Sequence, residues 1–255
     1  MKNAKHTRIS IAVLILVLSA IFWVLLLFNL GDLMAVKHSH ITENSHTHSS
    51  FQMLLAMNPI SNLMKGWILM VLAMMLPKLI APIQYIYERS LKRKRFWSSL
   101  LFVLAYTSVW AVAGLVINAV ILGLNTIMLK PYIMALAVGV IALIWQFSPI
   151  KQRFLNRAHD HQSLAVFGWT ASFDALRFGT VHGIWCIGSG WALMLLPMLI
   201  PGGHNLAMIA VAFIMVSEHM EQPRLPNWYL SLRLKLLRIL ITQTRIKLKQ
   251  VITTR

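Results

Sequence analysis

Acidic side chains are scarce. Seven Asp and Glu stand against 24 Lys and Arg in 255 residues, and charged residues make up only 12% of the chain. A soluble domain carries about twice that fraction. None of the seven acids lies inside a long apolar run, which argues against a proton-coupled carrier with intramembrane carboxylates. Cysteine is scarcer still: Cys186 is the single one, so no internal disulfide can form. No Ser-His-Asp arrangement, paired-carboxylate site, P-loop or dinucleotide fingerprint is readable. The expectation is that the protein is not an enzyme, nor an ATP-driven pump in one chain.

Apolar residues fill the space instead, at 58% of the sequence. They fall into runs at roughly Ile9–Leu30, Gly66–Tyr87, Phe96–Leu124, Pro131–Phe147, His182–Ile200 and His204–Val216. A bilayer needs about 20 apolar residues per helical crossing, and the last two runs are short. The composition and these runs predict an all-α, polytopic membrane helix bundle of about six transmembrane helices. The first run lacks a small-residue cleavage site and reads as a retained span.

The formal charge of +17 would suggest nucleic acid in a soluble protein, but no aromatic-basic recognition pattern accompanies it. Its distribution is the informative part. Of the 24 Lys and Arg, 20 fall on one side of the predicted crossings: at the N-terminus, around Arg89–Arg95, after the fourth run, and in the tail. Lys37, Lys65 and Lys130 fall on the other side, and Lys78 lies within the second run. The positive-inside rule then places both termini in the cytoplasm, with six crossings, and the expected location is a cytoplasmic (inner) membrane. Residues 1–222 form the bundle, with an outer His- and Met-rich loop at 31–65. Residues 223–255 form a basic cytoplasmic tail, apolar and basic by turns, whose periodicity leaves helix or strand open. The basic patches suit contacts with anionic lipid, and the apolar end of the segment before Arg177 suits an interfacial helix.

One apolar segment occurs twice. GWILMVLAMMLP (Gly66–Pro77) returns as GWALMLLPMLIP (Gly190–Pro201), with seven of twelve positions identical. Either the match is filler from a biased alphabet, or it marks an inverted 3+3 repeat with a site between the halves. The pairs Met70/Met74 and Met194/Met198 each lie one helical turn apart, on one face of a helix. Thioethers are soft ligands that select Cu(I), though methionine also fills gaps in helix packing with no ligand role.

Histidines add a second set. His38, His40, His46 and His48 stand in HSHITENSHTH on the outer loop, a short His-rich tract of a kind that binds metal. The plainer reading is a polar, pH-sensitive loop. His182 and Cys186 are four apart, half of a tetrahedral zinc site or most of a two-coordinate Cu(I) site. Buried cysteines and satisfied histidines are also common without metal. The clusters His159-Asp160-His161 and Glu218-His219 with Glu221 fall at the cytoplasmic boundary, where they are either solvated or form an exit site for an ion passing inward. Lys78 follows Pro77, which frees a backbone carbonyl near it as a local partner.

These residues carry a resemblance. Trp67, Met70, Ala73-Met74-Met75 and Pro77, then Tyr106, Trp110 and Gly114, then Gln146, Pro149 and Lys151, and finally Gly183, Cys186, Gly188, Trp191 and Met194 follow in order. Together they resemble a bacterial family of uncharacterised, predicted metal-binding integral membrane proteins, over roughly Trp67 to Glu218. The family typically has further cysteines where this chain has Phe154, Arg157 and Ala158, and again at Ser189 and Gly190. The resemblance therefore implies a membrane fold and a metal theme, with His and Met replacing most thiolates or with metal binding lost.

The expectation is a membrane protein that handles a soft metal ion, copper first and zinc second, through His38, His40, His46, His48, Met70, Met74, His182, Cys186, Met194 and Met198. Partners would be the lipid bilayer and a membrane metalloenzyme or periplasmic metal carrier, but no nucleic acid. A metal-free accessory subunit of a membrane complex is the rival, followed by a small-solute carrier.

Overall fold

The computed structural model describes residues 2–33, 60–126, 131–160, 162–200, 203–228 and 235–253. His38, His40, His46 and His48 lie outside the described residues. Within them the chain is all-helical: α1 (Lys2–Leu33), α2 (Ile60–Met75), a 3-10 turn (Leu76–Leu79), α3 (Ile80–Arg89), α4 (Arg95–Thr126), α5 (Pro131–Phe147), α6 (Pro149–Arg157), α7 (Gly168–Leu199), α8 (His204–His219) and α9 (Lys235–Thr253).

Four stretches are long and apolar enough to cross a membrane: His6–Phe28, Ile60–Arg89, Arg95–Gly123 and Gly168–Leu199. The α5–α6 pair, bent by 64°, makes a fifth if it is one broken span. This is consistent with a multi-pass membrane protein. The sixth expected crossing falls in α8, whose 16 residues are fewer than the roughly 20 a crossing needs. The α5–α6 bend has a local cause. Ser148 adopts extended backbone and its Oγ accepts the Ile150 N–H at 3.0 Å, while Pro149 opens the new helix.

Burial sorts the helices. α1 and α4 expose much of their Leu and Val, such as Val17 and Val116, as lipid-facing helices would. α2 and α7 are far more enclosed. In α2 the buried set Leu63, Trp67, Met70 and Met74 follows the 3-and-4 spacing of a single helix face. α4 is the chief neighbour of α7 and also packs on α2, so it touches both helices that carry a copy of the Gly-Trp-Met segment. Those copies meet different surroundings. Trp67 is fully buried against Trp110, whereas Trp191 packs edge-on to Trp145.

Two glycines set the close approaches. A Cβ on Gly114 would stand 2.2 Å from the Trp67 indole, and one on Gly179 would stand 2.4 Å from the Phe102 carbonyl oxygen. Only a residue without a side chain lets α4 meet α2 and α7 at these points.

Two expectations change. The segment GWTASFDALR, expected as a separate interfacial helix, is the beginning of the 32-residue α7. The tail, left open between helix and strand, forms the helix α9.

Candidate functional site

Proline inside a span removes a backbone donor. Pro77 leaves the Ala73 carbonyl without its helical partner, and the chain there tightens to a 3-10 turn. The vacancy is filled from α1, where Ser19 Oγ donates to the Ala73 oxygen at 2.8 Å. Lys78 is therefore not tied to that carbonyl, contrary to expectation. It is buried, 4% exposed, and its Nζ donates to Cys186 Sγ at 3.2 Å.

Cys186 sits near the middle of α7 and is itself buried. Its sulfur accepts a second hydrogen bond, from Tyr106 Oη on α4 at 3.1 Å. Three elements thus converge on one sulfur: the 3-10 turn, α4 and α7. One turn back along α7, His182 is buried with its ring about 6 Å from those of Phe102, Tyr106 and Phe178. A fourth ring, His219 at the end of α8, stands 6.3 Å from His182 and stacks on His159 at 5.1 Å.

His219 lies past the apolar stretch of α8. Burial first, then the Lys78 charge, hold its ring well below the usual imidazole range, so it is neutral near pH 7. Its Nδ1 is shielded from solvent and has no hydrogen-bond partner among the described residues.

Beside this cluster lies a buried ion pair. Lys151 Nζ meets Glu218 Oε2 at 2.8 Å and Gln146 Oε1 at 2.5 Å, and Gln146 Nε2 donates back to Glu218. Glu218 is 3% exposed, so the expectation of a solvated boundary acid fails. The ammonium of Lys151 neutralises the carboxylate and the Gln146 amide bridges the two, which is what allows a charge to be buried there.

Of the expected ligands, Met70, Met74, Cys186 and Met194 fall in one apolar core, and Met198 packs on its edge. His182 is buried beside them. Met208 and Met215 of α8 join the same core although no motif singled them out. Among the described residues no three His, Cys, Asp or Glu side chains gather as a metal set. Tyr106, His219 and the Lys78–Cys186 contact come from distant parts of the chain. Each had its own signal in the sequence, Lys78 as the one charge in an apolar run, Tyr106 in the family motif and His219 beside Glu218, but no signal joined them.

A family model described as PpoB2, copper chaperone, matches residues 64–231, well over half of the chain. No curated protein and no solved structure matches it. The match starts in α2 and ends beyond α8, so it takes in every residue of the cluster around Cys186. Its description points to copper and to a non-catalytic role.

Proposed function

The chain belongs to the PpoB2 family of copper chaperones, and from that premise we propose that it is a multi-pass inner-membrane protein that holds Cu(I) at Cys186 and delivers it to a metalloenzyme. The observation that carries the reading is the place of Cys186: one sulfur, buried, where the 3-10 turn, α4 and α7 meet. Thiolate and thioether are the ligands that favour Cu(I), and imidazole tolerates it. Cys186 with His182 or His219 supplies such a two-donor set, and the thioethers of Met70, Met74, Met194 and Met198 offer a path to it through the core. Zinc is the poorer fit, because a structural zinc site wants four such ligands in a tetrahedron. His38, His40, His46 and His48 would collect the ion outside, from a periplasmic carrier. The Lys and Arg asymmetry supports a topology with both termini in the cytoplasm.

A second reading has one observation in its favour. Met70, Met74 and Met194 are 0%, 1% and 0% exposed, as gap-filling core residues would be. On that reading the protein is a metal-free accessory subunit.

Metal content by mass spectrometry separates the two. Detergent-purified protein from copper-supplemented cells should carry near-stoichiometric copper. Cys186→Ser should reduce it to background, and changing the four loop histidines to Ala should lower loading in cells without abolishing binding in vitro. A folded wild type with no copper in either setting would sink the chaperone reading and leave the accessory subunit.

A further inference from the structure

Among the described residues two lysines are buried, and their ammonium groups have different partners. Lys151 has a carboxylate, Glu218, at 2.8 Å. Lys78 has none within ion-pair distance among the described residues, and its ammonium rests on Cys186 Sγ instead. A buried charge without a counter-charge is costly, so such a seat persists only where something else selects it. The seat suits a small monovalent cation: an electron-rich sulfur with the Tyr106 oxygen beside it, and one turn back His182, whose ring stands 6.3 Å from that of His219, a histidine whose shielded Nδ1 has no hydrogen-bond partner among the described residues.

We propose that the Lys78 ammonium is the stand-in occupant of the copper seat, displaced from Cys186 Sγ when Cu(I) loads and returning to it when Cu(I) leaves. This rests on the copper reading above and adds a release device to it. Ammonium and Cu(I) each carry one positive charge and draw on the same electron-rich sulfur, so only one of them holds it at a time. At loading Cu(I) exchanges a bond to its donor's ligand for one Cu–S bond, and the N–H···S hydrogen bond breaks as the still-protonated Lys78 arm swings off the sulfur; release runs the same exchange backwards. Copper stays Cu(I) throughout, so no electron moves, and any proton on the sulfur passes to water at loading and comes back at release. The arm is mounted to move: Lys78 belongs to the 3-10 turn Leu76–Leu79, the least regular part of the span, where tighter, poorer hydrogen bonds often mark a hinge. A chaperone must give up its cargo, and an internal competitor lowers apparent affinity by the fraction of time that it holds the seat. A lysine docked nine-tenths of the time weakens binding about tenfold.

Two measurements test this on the full-length, detergent-purified chain. In competition with a Cu(I) chelator, Lys78→Gln should bind copper about tenfold more tightly than wild type, from the same occupancy argument. Tyr106→Phe, which removes the other donor to Sγ but no charge, should stay close to wild type. Equal or weaker binding by Lys78→Gln overturns the proposal, as does an equal gain in Tyr106→Phe. The second measurement needs no variant. Amine labelling read by mass spectrometry should find Lys78 protected in the copper-free wild type and more reactive once Cu(I) is loaded, with Lys151 protected in both. Unchanged Lys78 labelling in copper-loaded protein overturns the proposal even if Lys78→Gln does not fold. A wild type that binds no Cu(I) overturns the copper reading itself, and the release device with it.

Discussion

Ser19 Oγ of α1 donates to the Ala73 carbonyl of α2 at 2.8 Å, filling the hydrogen-bond vacancy that Pro77 opens four residues later. Both groups are buried. The contact joins the outermost span to the segment that carries Lys78, so it ties the position of α1 to the geometry around Cys186.

Removing the Ser19 hydroxyl leaves a buried carbonyl unsatisfied, at a cost of about 1–3 kcal/mol. Ser19→Ala should therefore lower the melting temperature in detergent. In a Pro77→Ala background the restored N–H can serve Ala73 from within the helix, so the same substitution should cost much less. Equal losses in both backgrounds would show that Ser19 does not serve the proline gap.

The Lys151–Glu218 pair makes a sharper test. Glu218→Leu leaves Lys151 buried and uncompensated, which costs about 3–5 kcal/mol. Replacing both, as Lys151→Met with Glu218→Leu, should recover most of that loss, since the pair's attraction largely offsets its own desolvation. Thermal unfolding of the single and double variants decides it.

Trp67 lies in the gap that Gly114 leaves, and its Nε1 donates to the Trp110 carbonyl at 2.7 Å. Gly114→Ala would put a methyl group into the indole ring, so α2 and α4 must separate. The expected loss is about 1–3 kcal/mol. Trp67→Leu should relieve much of it, and a Gly114→Ala protein as stable as wild type would refute the packing argument.

His219 gives a pH dependence with a definite sign. Its folded-state pKa lies well below the unfolded value, so the unfolded chain takes up a proton first as pH falls. The copper-free protein should keep full stability from this group above about pH 6.5 and lose it below, by at most about 1.4 kcal/mol per pH unit. His219→Phe should flatten the fall between pH 7 and 5. If the variant and wild type track each other, His219 is not the group responsible.

The helical class and the main apolar runs were legible in the sequence, because helix formation in an apolar run depends on nearby residues. Pro131–Phe147 has the same limits in both, and Phe96–Leu124 grows only to Arg95–Thr126. The start of α7 at Gly168 was not legible, since Asp174 and Arg177 interrupt the apolar run although the helix continues through them. The repeat of Gly-Trp-Met was visible, but the unlike surroundings of Trp67 and Trp191 were not. His182 and Cys186 both fall in α7 and both are buried, one turn apart as the spacing predicts, because four residues is a local distance.

By itself, then, the sequence determined which stretches are apolar helices, where along the chain the basic residues cluster, and that one cysteine stands one turn from a histidine. These follow from hydrophobicity, charge and the pitch of the α-helix, all local or additive quantities. The tertiary structure alone decided that Lys78 points to Cys186 and that Tyr106 shares that sulfur. It also decided that Glu218 is a buried counter-charge and not a solvated acid. Contacts across 67, 80 and 108 residues depend on how helices pack, and helix packing turns on shape, as where Gly114 admits Trp67. No spacing rule along one chain carries that information.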